Sequence, residues 1–166
     1  MGIKPDFSEK ELYSTIEKEL ERAHRLTIRA LSYLGERLLI EARDRPQDIS
    51  WIDHTGNLRS SIGFVVVCDG KAEKYGGFTS RGVSSSTGST KSIGKDGKAE
   101  GKSLAESLVP KFNRGYALIM VAGMNYAAYV EARENKCVLA SSELLARLEM
   151  PMLIERLKNQ ISRGKQ

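Results

Sequence analysis

The chain is poor in the residues that usually carry chemistry. Two histidines, two cysteines and one tryptophan in 166 residues leave little material for a metal centre or a nucleophile–base pair. Cys68 and Cys137 lie far apart in apolar settings (VVVC and KCVL), which favours free, buried thiols over a disulfide. His54 beside Asp53 invites a catalytic or metal-binding reading. The only other histidine is His24, in the charged middle of a helix, so His54 lacks the partners that either chemistry needs. No run approaches the roughly 18 apolar residues of a membrane span, and the first residues show no basic-then-apolar leader pattern. The expectation is a cytoplasmic product with no membrane partner, no cofactor, no metal and no enzymatic activity.

Phosphate-binding loops are missed as well. Gly88 to Gly94-Lys95-Asp96 has one residue too many between its glycines, with Asp where Ser or Thr is needed. Gly97 to Gly101-Lys102-Ser103 has one too few. Spacing sets how the backbone amides converge on a phosphate, so neither stretch qualifies.

What is present is a charge balance and a pattern. The net charge of +5 and sequence pI of about 9.2 are compatible with a nucleic acid or an acidic protein as partner, but ordinary solubility accounts for them more simply. The length fits one domain over residues 1–166 with room for a real core.

The stretch that organises the rest is Gly115 to Glu131, GYALIMVAGMNYAAYVE. Its apolar run is bounded by Gly115 and Gly123 and suits a central strand over Tyr116–Ala122, followed by a turn and a short helix carrying Tyr126, Tyr129 and Glu131. Tyr126 and Tyr129 are three apart on one helical face, which suits core-edge packing or an interface.

Upstream, Ser8 and Glu11 have the capping-box form, and apolar residues recur at spacings of three or four from Leu12 to Ala42 before Pro46. A helix over this span would be about 50 Å long, more than so small a domain can cover. Its first half has a narrow stripe, Leu12, Ile16 and Leu20, among charged faces; its second half is apolar on several sides. The second half is therefore expected to be core and the first half to protrude and be covered by a neighbouring copy. The alternative is that it folds back on its own sheet or frays. Gly35 weakens this helix and marks a candidate bend.

Residues 53–78 read as a turn and a hairpin: Thr55 or Asn57 caps a helical turn, Ile62–Cys68 is β-branched and aromatic, and Asp69-Gly70 is a hairpin turn. Residues 79–103 are rich in Gly, Ser, Thr and Lys, with Arg81, Lys91, Lys95, Lys98 and Lys102 against Asp96 and Glu100. That composition suits a flexible insert which orders against a partner protein or a nucleic-acid backbone, or else a plain hairpin extension. A short helix near Ser103–Leu108, stopped by Pro110, closes it. The C-terminal helix over 141–162 contains Pro151, expected to kink or restart it.

Two blocks, Thr55-Gly56-Asn57-Leu58-Arg59-Ser60-Ser61-Ile62 before a strand and Asn125-Tyr126-Ala127-Ala128-Tyr129-Val130-Glu131 after one, resemble the neck and tail-completion family of long-tailed phages and prophages, whose members are described as minor tail components. The element order is similar too. After Glu131 the chain departs from the family pattern: Ala132-Arg133 stands where an aromatic and a glycine often follow.

The resemblance implies an α+β fold: long N- and C-terminal helices on a small, mainly antiparallel sheet with a long flexible hairpin insert. It implies a non-enzymatic head–tail joining component that forms a ring, docks connector, head-closure and tail proteins, and surrounds passing DNA. Its place would be the host cytoplasm during assembly and then the virion. Interface candidates on this reading are Leu12, Ile16, Leu20, Arg59, Arg81, Lys91, Lys95, Lys98, Tyr126, Tyr129 and Glu131. Arg59 and Glu131 are a candidate ion pair. The competing reading is a basic nucleic-acid-binding protein that uses the lysines of the insert and C-terminal tail, although no base-reading motif and no interleaved aromatics accompany them. A Ser/His/Asp hydrolase built on His54 ranks behind both.

Overall fold

The computed structural model describes residues 8–44, 56–79, 96–132 and 137–163. Helix α1, Glu9–Arg43, starts where its capping signal predicts: the Ser8 side chain accepts from the Glu11 N–H, and the Glu11 carboxylate accepts from the Ser8 N–H. Its 35 residues span about 52 Å.

A short helix, α2 (Asn57–Ser61), leads directly into strand β1 (Ile62–Cys68). Gly56, with φ of 73°, occupies the N-cap position of α2, and no side chain caps it there; Thr55 lies outside the described residues. The Asp69-Gly70 turn has both residues at positive φ (47° and 76°), the geometry that matches strand twist in a tight hairpin, and returns the chain as β2 (Lys71–Gly77). Helix α3 (Gly97–Leu108), a 3₁₀ turn (Val109–Lys111), β3 (Tyr116–Ala122), α4 (Ala127–Ala132) and α5 (Ala140–Ser162) follow. The architecture is α+β.

The sheet is antiparallel with order β2-β1-β3. Strand β3 has the bounds its flanking glycines suggest, but it is an edge strand, not the central one. Strand β1 is central because it is the most completely apolar run: all its residues but Cys68 are buried. Ile62, Phe64 and Val66 face a core shared with Leu31, Leu39 and Ala42 of α1, and Leu118 and Met120 of β3 join them. Val65 and Val67 face the opposite way, into a second core with Phe78, Ala105, Val109, Ile119 and Val121. Period-two alternation thus serves two helical layers, α1 with α5 on one face and α3 on the other.

Helix α1 is continuous through Gly35, where the missing side chain makes room: a Cβ there would lie 2.6 Å from the Phe64 ring. One further expectation changes. The insert is shorter than its composition suggests, because residues 97–103 belong to α3. Gly97, Gly101 and Ala105 recur every four residues and are its buried face. A Cβ on Gly97 would strike the Asn57 carbonyl, and one on Gly101 the Ser61 carbonyl. The glycines that read as flexibility are there for close helix packing. The Asp96 side chain accepts from the Lys98 N–H and caps this helix.

Helix α5 also runs through Pro151 without restarting. Pro151 and Arg147, whose carbonyl loses its helical donor, are both exposed, so water can satisfy that carbonyl. Among the described residues no helix is long and apolar enough to cross a membrane.

Candidate assembly surface

Helix α5 lies antiparallel along α1 and is pinned at three points. The Ser142 hydroxyl donates to the Leu38 carbonyl (2.9 Å), Arg37 pairs with Glu149 (2.6 Å), and the Arg22 guanidinium donates to the Gln160 carbonyl (3.0 Å) at the far end. A guanidinium at a helix C-terminus meets unpaired carbonyls and the negative end of the dipole. The pins place α5 beside residues 22–38 of α1, and α5 ends there. Residues 9–21 of α1, about 20 Å of helix, continue past it.

No described residue of α1 before Leu31 is buried. Leu12, Ile16 and Leu20, at spacing four, are 43%, 45% and 65% exposed, and Tyr13 beside them is exposed as well. The protruding half therefore does not fold back on its own sheet. Around the stripe, residues 9–21 carry five glutamates and two lysines.

Arg59 and Glu131 do not meet as a pair. Each stabilises a helix end instead. The Arg59 guanidinium donates to the Arg43 carbonyl at the C-terminus of α1. The Glu131 carboxylate accepts from the Leu139 and Ala140 N–H groups (3.1 and 2.8 Å) at the N-terminus of α5, where the N-cap residue Leu139 supplies no side-chain bond of its own. Each charge complements the dipole end it meets. The two blocks that carry the resemblance thus both work locally as helix-terminus fasteners.

Tyr126 precedes α4 and packs half-buried against the first core, whereas Tyr129 is exposed. Lys98 is exposed on α3; Lys102 pairs with Glu106 across the same helix and sits 5.8 Å over the Tyr75 ring. Arg81, Lys91, Lys95, Asp53 and His54 lie outside the described residues.

His24 has a structural setting. Its Nδ1 is 2.9 Å from the Tyr116 hydroxyl and its Nε2 is 3.8 Å from the Glu73 carboxylate, tying α1 to both edge strands. Nearby, burial and then the Asp69 charge push the Cys68 thiol above its ordinary pKa, the opposite of an activated nucleophile. Cys68 and Cys137 are not in a disulfide and are only half-buried. Among the described residues no cluster of three His, Cys, Asp or Glu side chains is placed to hold a metal ion.

A second exposed apolar stripe was not separable in the sequence. Leu144, Leu148 and Met152 of α5 face outward, while Leu145, Leu153 and Leu157 are half-buried. Read together, these leucines look like one core-facing pattern. Read at spacing four, they resolve into two stripes, one inward and one outward.

No family model, curated protein or solved structure matches the chain.

Proposed function

We propose that the protein is a structural subunit of a phage or prophage head–tail junction, working by self-assembly and by docking connector and tail proteins. The observation that carries this reading is the α1 extension. A capped helix projects about 20 Å past the end of α5 with an apolar stripe in water. An exposed helix face of this kind gains from being covered, since each Leu or Ile side chain removed from water contributes about 1.5–3 kcal/mol. The likeness of the Thr55–Ile62 and Asn125–Glu131 blocks to the neck and tail-completion family supplies the biological setting.

Light scattering of the purified protein should give a mass several times the 18.4 kDa of one chain, and negative-stain images should show rings. Hydrogen exchange should then slow in residues 12–20 relative to a dilute, unassembled sample. A monomer at every concentration, with no rings, refutes the proposal.

A further inference from the structure

Two exposed stripes on this chain match each other. Leu12, Ile16 and Leu20 on the α1 tip and Leu144, Leu148 and Met152 on α5 both run at spacing four, and each covers about 12 Å of helix. The α5 residues are 63%, 71% and 55% exposed, so no described part of the chain covers them. Both stripes are ridges of the kind that interdigitate when two helices cross at about 50°.

Charge decides how they pair. Two α1 tips facing each other would bring five glutamates per copy together. The exposed charges along α5 are instead mixed and slightly basic: Arg147, Arg156 and Lys158 against Glu143 and Glu155, with Arg163 at the C-cap. Like charges oppose the symmetric contact, and opposite charges favour tip against α5. The chain already contains the same kind of contact: its own α5 lies along α1 as far as Arg22, and the tip continues that helix beyond it.

We infer that the α1 tip of one copy docks on the Leu144–Leu148–Met152 stripe of the next copy, an inference that rests on the assembly reading above. The contact uses two different patches, so it is head-to-tail. Each copy offers a free tip at one side and a free α5 at the other, and the chain of contacts closes into a ring or grows as a filament according to the rotation per step.

The test uses two variants in a Cys68→Ser, Cys137→Ser background, Ile16→Cys and Leu148→Cys, purified separately with tags of different mass, mixed in equal amounts and oxidised. The expected product is a disulfide-linked species containing one of each, in clear excess over the roughly two-to-one ratio to each like-with-like product that random pairing of equal amounts gives. A predominance of Ile16→Cys joined to itself, or no cross-link at all, overturns the inference. As a second arm, Leu148→Asp should reduce the scattering mass to one chain with far-UV circular dichroism unchanged; an unchanged mass also overturns it. If wild-type protein is multimeric but no mixed cross-link forms, the contact is wrong and the assembly reading survives. A monomeric wild type removes both.

Discussion

The two halves of α1 share one hydrogen-bonded helix and meet opposite solvents. Residues 31–43 bury Leu31, Leu34, Leu38, Leu39 and Ala42 against the sheet and α5, while residues 9–21 bury nothing. Both halves carry apolar residues at helical spacing, so periodicity alone does not separate them. The number of apolar faces does: one narrow stripe at the N-terminal end, several faces at the other. A helix apolar all round needs cover on all sides within its own domain, whereas a single stripe needs one partner, which need not belong to the same chain.

The sharpest break of that comparison is a matched truncation. Leu34→Ala removes a fully buried side chain and should cost about 2–5 kcal/mol in urea unfolding. Leu20→Ala, measured on unassembled protein, should change stability by less than about 0.5 kcal/mol. Equal losses would mean that the tip is part of the core after all. Next in size is Gly35→Ala. Helix propensity alone would make this change stabilising by about 1 kcal/mol. The new Cβ would press on the Phe64 ring, and overpacking of that kind typically costs about 1–3 kcal/mol, so the melting temperature should fall rather than rise.

The smallest effect belongs to the cap. Hydrogen bonds from the Ser8 backbone N–H, and then its hydroxyl, hold the Glu11 carboxyl below its ordinary pKa. A carboxylate with a lowered folded-state pKa contributes stability above its unfolded value and loses it as pH falls through the folded one. Amide protection in the first turn should therefore drop in acid. Ser8→Ala should produce the same fraying at neutral pH, at about 1 kcal/mol of local helix stability. The global melting temperature should not move in either case, because the tip carries no core.

Legibility followed range. The start of α1, the Asp69-Gly70 hairpin and the bounds of β3 depend on residues within a few positions of one another, and all were readable. The face of α5 was not, because inward and outward leucines interleave and only the line of contact with α1 separates them. The insert was misread at its C-terminal end for a related reason. Gly97 and Gly101 have the composition of a loose linker, and the carbonyls of Asn57 and Ser61 that demand glycine are some forty residues away in sequence. In the candidate surface, the stripe Leu12–Leu20 was legible, whereas the separate duties of Arg59 and Glu131 were not; each answers to a helix end contributed by another part of the chain.

By itself the sequence determined the strands, most of the helices, the α1 cap and the Asp69-Gly70 turn, and the existence of one apolar stripe too many for a single domain, since these follow from local backbone preference and side-chain period. Tertiary structure decided that β1 is the central strand, that two glycines are packing contacts, and where α5 ends along α1. Those outcomes depend on which surfaces meet across long stretches of chain, and burial is a property of the pair that meets rather than of either partner alone.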